Sequence, residues 1–384
     1  MRITFVLPHA DLSGGIRVAA IYAQRLQQRG HEVQAISSAK RAPPLGFKIR
    51  SWLGGRGWPR IRPEPSHFDG LDVPHRVLAR WRPITADDVP DADVVIATWW
   101  ETAEWVMALP PRKGAKVYFL QHFEAWDPAT MPRVEATWRL PLQKLAVSRW
   151  LADLARDRFD DAFARVVPNG VDTAQFQAPP RGKQPVPTVG FMYSTVAFKG
   201  CDLSLAAIHA ARRTVPDLRV VAFGSEGPAP GLPLPTGTLF RRLPAQSELC
   251  NIYAACDAWL FGSRSEGFGL PILEAMACRT PVLGTPTGAA PELLADGAGV
   301  LVPEADAAGL AAAIERVSRM PEAEWRAMSE RAYNRARRHT WTAATDAFEA
   351  GLWFALERCR RGEIAGGVDG TRAPTALRIQ RPSA

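Results

Sequence analysis

Two carboxylates stand on either side of a glycine-rich turn in the segment RSEGFGLPILEAMA, residues 264–277. Glu266 precedes the turn, and Glu274 follows Pro271, a residue suited to the first turn of a helix. Such a pair can act as general acid and base, as in glycoside hydrolases, or can accept hydrogen bonds from ligand hydroxyls. Backbone amides at a helix N-terminus bind phosphate, so the turn between the carboxylates favours the second chemistry. The pattern predicts a site for a diphosphate flanked by hydroxyl-bearing groups, as in a sugar nucleotide.

A second candidate for anion binding is the turn LSGGIRVAA near the N-terminus. Gly14 and Gly15 lie between a predicted strand and a predicted helix, and Arg17 follows them. The turn lacks the Gly-x-Gly-x-x-Gly fingerprint, and no acidic residue ends the next predicted strand, so a nicotinamide dehydrogenase is disfavoured. A glycine-rich turn that only begins a helix is the alternative.

The elements that must position these residues alternate between strand and helix along the whole chain. Apolar runs such as ITFVLP, DVVIATW, LRVVAFG and DAWLFGS are each followed by a helical pattern, which predicts parallel α/β sheets. The segment VVPNGVDTAQFQAPPRGKQPVP interrupts this alternation and predicts a domain boundary. We therefore expect an N-terminal Rossmann-like domain over residues 1–173, a linker over 174–186, a second Rossmann-like domain over 187–340, a helix over 341–361 and a disordered tail over 362–384.

Composition narrows the function classes. The chain of 384 residues has a net charge of +8, which favours anionic partners such as nucleic acid, acidic lipid or phosphorylated small molecules. Nucleic acid is disfavoured because no zinc pattern, ribonucleoprotein aromatic motif or recognition helix is present. No apolar run is long enough to span a membrane, and the N-terminus does not read as a signal peptide, so we expect a cytoplasmic protein.

One basic stretch is a candidate for binding an anionic membrane surface. No acidic residue occurs between Val33 and Pro63, and basic residues from Lys40 to Arg62 alternate with the aromatic residues Phe47, Trp52 and Trp58. A solvated basic loop with its aromatic side chains folded inward is the alternative.

The segment SRSEGFGLPILEAMACRTPVLGTPTGAAPELLADGAGVLVP resembles the signature of the retaining GT-B glycosyltransferases of the family-4 type, in which seven residues separate two glutamates. VVPNGVDTAQF and SGGIRVAA resemble two further motifs of that family, in the same order along the chain. The resemblance extends to about Leu356. It implies an α/β GT-B fold, with two Rossmann-like domains facing a central cleft and a C-terminal helix that crosses back to the first domain.

The resemblance also implies roles for residues on the donor side. Glu266 would contact the donor sugar, Glu274 would hold the ribose hydroxyls, and the turn between them would bind near the sugar and diphosphate through Gly267, Phe268, Gly269 and Leu270. The segment FMYSTVAFKG would contribute Ser194 and Lys199, with Lys199 stabilising the departing diphosphate. The family commonly has an Arg after the glycine that corresponds to Gly190, and this chain has Phe191 there. Arg17 and Arg264 are the candidates to replace that charge.

The first-domain segment VYFLQHFEAWD resembles the position where many members place a catalytic histidine at the end of a strand, facing the donor sugar. His122 is the matching residue, with Gln121 and Glu124 beside it, and the short pattern also resembles a rhamnosyltransferase-like subset. Trp100 and Trp126 are candidates to face the acceptor, whereas a core position is the alternative for both.

The expected activity is retaining transfer of a hexose or deoxyhexose from a nucleoside diphosphate sugar to a hydroxyl of a glycan or lipid-linked acceptor. Synthesis of bacterial surface polysaccharide or lipopolysaccharide is the expected context, on the cytoplasmic face of the membrane. We expect neither a metal nor a cofactor; Asp91 and Asp93 imitate an Asp-x-Asp metal motif, but they run directly into a predicted strand. A non-catalytic sugar-nucleotide-binding partner in polysaccharide assembly is the alternative function.

Overall fold

The computed structural model describes residues 1–55, 57, 65–303 and 305–367. In this part of the chain the strands form two sheets with parallel pairing. The first sheet contains β1 (Arg2–Leu7), β2 (Glu32–Ser37), β3 (His75–Val77), β4 (Val94–Ala97), β5 (Ala115–Leu120), β6 (Gln143–Ala146) and β7 (Arg165–Val166). The second sheet contains β8 (Thr188–Met192), β9 (Arg219–Gly224), β10 (Leu239–Arg242), β11 (Ala258–Phe261), β12 (Val282–Gly284) and β13 (Gly299–Leu301).

Helices connect the strands of both sheets. Those between strands of the first sheet are α1 (Gly14–Gln28), α2 (Leu45–Leu53), α3 (Trp100–Met107), α4 (Met131–Trp138) and α5 (Arg149–Phe159). Those that follow β8 are α6 (Cys201–Ala211), α7 (Leu249–Ala254), α8 (Leu270–Ala277), α9 (Ala290–Leu293), α10 (Ala307–Arg319), α11 (Glu322–Arg337) and α12 (Trp341–Arg360). The predicted α/β class with two parallel sheets is confirmed.

The two sheets have the same strand order. The first runs β3-β2-β1-β4-β5-β6-β7 and the second runs β10-β9-β8-β11-β12-β13. In each sheet the order reverses at one point, between β1 and β4 or between β8 and β11. Ligands of doubly wound sheets bind beside the carboxyl ends of the strands at this reversal. The loops after β8 and β11 are therefore where a ligand site is expected in the second sheet.

The chain divides into two compact units. Unit 1 comprises Met1–Tyr118, Leu140–Gln143 and the described part of Leu352–Ala384; unit 2 comprises Phe119–Arg139 and Lys144–Gly351. The division falls within β5, β6 and α12. The domain boundaries predicted at residues 173, 186 and 340 stay predictions.

The predicted linker is anchored within unit 2. Phe176 is buried, and the amide of Gln184 donates to Oδ1 of Asp257 at 2.7 Å. Lys183 Nζ donates to three carbonyl oxygens at the C-terminal end of α10, where a cation also complements the helix dipole. The Pro and Gly residues of the predicted linker therefore give its backbone an irregular path, but the linker still makes specific contacts with unit 2.

Helix α12 is the C-terminal helix implied by the family resemblance. Within unit 2 the ring of Phe348 packs edge-on against Phe119 of β5, with 5.0 Å between the ring centroids. Gly351 packs so closely on β6 that a Cβ there would lie 2.6 Å from a methyl carbon of Leu145. The helix thus packs against strands of the first sheet.

Residues 362–367, the first part of the predicted disordered tail, contact other residues of unit 1. In unit 1, the amide of Ala365 donates to the carbonyl oxygen of Pro141 at 2.7 Å, and its carbonyl oxygen accepts from the amide of Lys116 at 3.1 Å. Ile364 is buried, which the low apolar content of this segment did not predict. The rest of the predicted tail, residues 368–384, lies outside the described residues.

Candidate functional site

Lys199 and Glu266 meet at the strand-order reversal of the second sheet. Lys199 ends a short 3-10 helix after β8, and Glu266 lies in the loop after β11. Their side chains form an ion pair, with 2.8 Å between Nζ and Oε1. Glu266 is buried and Lys199 is partly exposed, so the ammonium group stays accessible to an anion. The residues assigned to the donor sugar and to the diphosphate are therefore neighbours.

Ser263 fixes the orientation of Glu266. Its hydroxyl donates to the same carboxylate oxygen, Oε1, at 3.0 Å. The carbonyl oxygen of Ser263 accepts hydrogen bonds from the hydroxyls of Thr285, at 2.5 Å, and Thr287, at 3.3 Å. The loop after β11 is thus tied to the loop after β12, which limits the movement of Glu266.

The glycine-rich turn forms the N-terminus of α8, as predicted from Pro271. Gly269 precedes the helix with a φ of +96°, a left-handed conformation that glycine adopts without strain. A Cβ on Gly267 would lie 1.6 Å from the carbonyl oxygen of Gln121, so only glycine fits this contact. The first amides of a helix have no intrahelical acceptor. The turn can therefore present donors to a phosphate.

The backbone carbonyl groups of the same turn accept hydrogen bonds from other residues of unit 2. The carbonyl oxygen of Gly267 accepts hydrogen bonds from the hydroxyl of Ser148, at 2.6 Å, and from the indole of Trp150, at 3.1 Å. Phe268 is buried, and its carbonyl oxygen accepts from the amide of Ala289 at 2.9 Å. These hydrogen bonds use the carbonyl groups of the turn as acceptors. They do not use its amide groups, which can therefore donate to a ligand.

Glu274 is buried in the second turn of α8, one turn later than the expected first turn, and is oriented by a tyrosine. The hydroxyl of Tyr253 in α7 donates to Oε2 of Glu274 at 2.8 Å. The ring of Tyr253 packs against Trp259 and Phe223, with 4.5 and 5.9 Å between centroids. A fully buried ring holds its hydroxyl in one position, so Tyr253 fixes the direction of this carboxylate.

His122 lies in the loop after β5 and faces the loop that carries Glu266. Its Nδ1 is 2.9 Å from the carbonyl oxygen of Phe123, and a carbonyl only accepts, so Nδ1 carries a proton. Its Nε2 is 3.4 Å from the hydroxyl of Ser265. Burial is the largest influence on the ring and lowers the pKa of His122, which favours the neutral form.

Two aromatic rings enclose His122. Trp126 stacks on Phe198 with 5.2 Å between centroids, and the imidazole lies 5.1 Å from Trp126 and 5.6 Å from Phe198. The Nζ of Lys199 lies 5.4 Å from the centroid of Phe198. The amide groups of Arg264 and Ser265 donate to the carbonyl oxygen of Phe198. Phe198 therefore links the histidine to the lysine and to the loop of Glu266.

Arg264 and Ser194 line a cavity of about 720 Å³ together with Asp202. The guanidinium of Arg264 makes two hydrogen bonds to the carboxylate of Asp202, at 2.7 and 2.6 Å, and a third to the carbonyl oxygen of Ala197. A phosphate would have to compete with Asp202 for this cation. Phe191, at the position after Gly190 where the resemblance implies an Arg, is buried in β8. Just after β8, the hydroxyl of Tyr193 donates to the carbonyl oxygen of Leu232 and accepts from the amide of Ala229.

The remaining predicted residues belong to both units. Gly14, Gly15 and Arg17 form the first turn of α1 in unit 1, and Trp100 begins α3 in the same unit. Trp100 is 6 % exposed and Glu124 is 2 % exposed, so burial does not support an acceptor-facing role for either. Trp126, at 46 %, does present its ring to solvent.

The acidic pair that imitates a metal motif is engaged in ion pairs. Asp91 pairs with Lys113 at 2.9 Å, and Asp93 pairs with Arg2 at 3.2 Å. Over residues 1–55, 57, 65–303 and 305–367, no group of three or more His, Cys, Asp or Glu side chains is arranged to hold a metal ion. None of the helices in these ranges combines the length and apolarity that a membrane crossing needs.

Comparison with solved structures shows which fold the chain has. Sucrose-phosphate synthase from Thermosynechococcus elongatus is 17 % identical and superposes with a TM-score of 0.70 over 94 % of this chain and 100 % of that one. HepE from Anabaena, solved in complex with UDP and glucose, is 17 % identical with a TM-score of 0.68 over 92 % and 100 %. Both are GT-B glycosyltransferases, and the chain has the GT-B fold.

Sequence comparison defines the family. A family model described as "Glycosyltransferase Family 4" matches residues 12–175, and one described as "Glycosyl transferases group 1" matches residues 186–319. D-inositol 3-phosphate glycosyltransferase from Kineococcus radiotolerans is 33 % identical over 406 aligned positions, which cover 88 % of this chain and 90 % of that protein. The chain therefore belongs to the glycosyltransferase family that these two models and this relative represent. It spans about half the length of other curated relatives, 48 % in Segniliparus rotundus and 50 % in Saccharomonospora viridis.

Three residues of the candidate site did not emerge from sequence reasoning. Ser263 stands three positions before Glu266, inside the recognised signature, so its place in the motif was a usable signal. Phe198 directly precedes Lys199 in the recognised segment FMYSTVAFKG, so its position beside the lysine could have identified it. Tyr253 is 21 positions from Glu274 and on another helix, and no local pattern predicts its hydrogen bond.

Proposed function

We propose that the protein is a retaining glycosyltransferase that moves a hexose or deoxyhexose from a nucleoside diphosphate sugar to a hydroxyl of a glycan or lipid-linked acceptor. The observation that carries this proposal is the Lys199–Glu266 pair beside the N-terminus of α8, with the buried Glu274 in the same helix. Synthesis of bacterial surface polysaccharide or lipopolysaccharide, on the cytoplasmic face of a membrane, is the context we propose. Because the sequence resembles a rhamnosyltransferase-like subset, we propose rhamnose as the first donor sugar to test.

The proposed donor site uses three kinds of group. The amides from Gly267 to Leu270 and the ammonium group of Lys199 bind the diphosphate, where both stabilise the negative charge that develops as the glycosidic bond breaks. Glu274 accepts hydrogen bonds from the ribose hydroxyls. Glu266 accepts hydrogen bonds from the donor sugar, and its ion pair with Lys199 gives way to the diphosphate when the donor binds.

The proposed reaction proceeds on one face of the sugar. The bond from the anomeric carbon to the diphosphate oxygen breaks, and the acceptor oxygen forms its bond on the same side, so the anomeric configuration is retained. The acceptor hydroxyl gives its proton to the departing diphosphate. In this proposal neutral His122 faces the donor sugar and the ring of Trp126 faces the acceptor. Gln121 approaches the turn through its backbone carbonyl oxygen. No protein nucleophile, metal or cofactor is part of this proposal.

The experiment is release of nucleoside diphosphate from UDP-glucose, GDP-mannose and dTDP-rhamnose, with water or added glycans as acceptor. The wild type is expected to turn over one of the three donors. Lys199→Ala is expected to lose turnover by about 100-fold or more, because a group aimed at the leaving charge contributes several kcal/mol. Lys40→Ala, at an exposed lysine, is the matched control. Equal turnover by Lys199→Ala and the control would overturn the assignment.

The second candidate function is a non-catalytic sugar-nucleotide-binding partner in polysaccharide assembly. The observation that favours it is the buried Phe191 after Gly190, in place of the family's Arg, together with the ion pair of Arg264 with Asp202, because the diphosphate then has one fewer cation. Binding of a donor without release of nucleoside diphosphate in any of these assays would support this candidate over the enzyme.

A further inference from the structure

Helix α2 presents an apolar stripe to solvent. Leu45, Ile49, Trp52 and Leu53 occupy positions i, i+4, i+7 and i+8, which lie on one face of a helix. They are 65, 43, 61 and 73 % exposed. Single exposed apolar residues are ordinary on protein surfaces, whereas a contiguous stripe marks an interaction surface. We name these four residues the α2 stripe.

The rest of the helix completes an interfacial pattern. At 100° per residue, Lys48 and Arg50 lie on opposite flanks of the α2 stripe. Ser51 lies away from the stripe, is buried, and donates from its hydroxyl to the carbonyl oxygen of Gly57 at 3.1 Å. Phe47 also lies away from the stripe and is 55 % exposed, so Ser51 is the buried position of this helix. The apolar stripe with its cationic flanks is exposed to solvent.

Charge selects the kind of partner that the α2 stripe would contact. The sequence from Val33 to Pro63 contains no acidic residue. Arg41, before the helix, pairs with Glu101 and lies over the ring of Trp81. Lys48 and Arg50 are the cations within the helix itself. A second copy of the chain docked stripe to stripe would bring these cations together, and like charges disfavour such a contact. An anionic apolar surface is the complementary partner.

We propose that α2 is a membrane-contacting helix that lies in the headgroup region of a bilayer containing anionic lipid. The α2 stripe would enter the boundary of the acyl chains, while Lys48 and Arg50 meet lipid phosphates. Contact through a single short helix is reversible and falls with ionic strength, because the electrostatic part is screened. This surface does not depend on the donor site, and it would bring the enzyme to lipid-linked acceptors.

The test is sedimentation of the full chain with vesicles of phosphatidylcholine alone and of phosphatidylcholine with phosphatidylglycerol. The wild type is expected to bind the anionic vesicles more tightly and to be released by salt. The triple variant Ile49→Ser, Trp52→Ser, Leu53→Ser is expected to weaken that binding by about tenfold or more. Lys48→Gln with Arg50→Gln is expected to abolish the preference for anionic vesicles. Leu239→Ser, at a 67 % exposed leucine in β10, is the matched control.

Two results would overturn the proposal. One is binding by the triple variant equal to that of the wild type or the control. The other is a wild-type dimer in size-exclusion chromatography that the triple variant converts to a monomer, which would assign the α2 stripe to a second copy. Melting temperature checks that each variant is folded. Nucleotide binding by the triple variant tests the donor site separately, so failure of the docking proposal and failure of the proposed function are distinguishable.

Discussion

At the scale of single residues, the candidate site depends on carboxylates whose directions are fixed by neighbours. Ser263 holds Glu266 and Tyr253 holds Glu274, each through one hydrogen bond to a carboxylate oxygen. A hydrogen bond to a charged group contributes about 1.5–3 kcal/mol, enough to decide which rotamer a carboxylate occupies. The serine and tyrosine hydroxyls are therefore positioning groups, whereas the carboxylates are the groups proposed to meet the ligand.

Tyr253→Phe tests this positioning on the proposed ribose contact. Because the hydroxyl orients Glu274 and the ring packing is retained, the variant is expected to bind UDP or GDP about tenfold more weakly. Binding of the 2′,3′-dideoxy forms, which offer no ribose hydroxyl, is expected to change by less than about twofold. Calorimetric titration measures both. An equal loss for the two forms would show that Tyr253 has a general structural role instead.

The lowered pKa of His122 predicts a pH dependence of stability. Burial lowers the pKa in the folded protein, so the unfolded chain binds the proton more readily. The stability of the neutral ring is fully present above the ordinary value of about 6.5 and is lost as the pH falls below it. Denaturant unfolding of the wild type and of His122→Gln from about pH 8 to about pH 5 checks this. The difference in unfolding free energy should shift against the wild type at low pH; a constant difference would contradict the prediction.

At the scale of elements, the site depends on the close approach of two loops. Gly267, in the turn before α8, touches the carbonyl oxygen of Gln121 after β5. Gly267→Ala should lower the free energy of unfolding by about 1–3 kcal/mol, because the Cβ forces the backbones apart. Gly227→Ala is the control, since a Cβ at that position would have no atom within 4 Å. Thermal unfolding of both variants measures the effect; equal melting temperatures would mean that the two loops do not pack in this way.

The alternation of strands and helices and the helix start at Pro271 were predictable because their signals are local. Helix α2 was not predicted, because its stretch was read as a basic surface segment or loop. The apolar period of a strand or a helix is visible within about ten residues. The turn before α8 is indicated by two glycines and a proline within five positions. The pairing of Arg264 with Asp202 crosses 62 positions, and the hydrogen bond from Tyr253 to Glu274 crosses 21. Such contacts depend on how the elements pack, and no periodicity carries that information.

Two further elements show where composition misleads. The segment after Gly362 is poor in large apolar residues, yet Ile364 is buried and Ala365 joins two backbone hydrogen bonds. In the basic stretch before Arg62, the aromatic residues were equally consistent with a buried or an exposed position. Phe47 and Trp52 prove to be exposed, whereas Trp58 lies outside the described residues.

At the scale of the whole molecule, unit 1 combines the first residues of the chain with residues 352–367. A chain ending at Arg361 should unfold more easily than one ending at Gly367, because it lacks the two hydrogen bonds of Ala365 and the burial of Ile364. The expected difference is about 1–3 kcal/mol. Denaturant unfolding of the two truncated chains measures it directly. Identical stabilities would show that residues 362–367 do not hold this position in solution.

The central claim is that the turn from Glu266 to Glu274 binds a sugar nucleotide. Calorimetric titration of the wild type with UDP, GDP and dTDP is the measurement that tests it most directly, beside Glu274→Gln and the exposed control Glu324→Gln. We predict that one nucleotide binds the wild type and the control with a Kd between about 1 μM and 1 mM, and that Glu274→Gln raises this Kd by about tenfold. Absence of binding by all three nucleotides, or an unchanged Kd in Glu274→Gln, would contradict it.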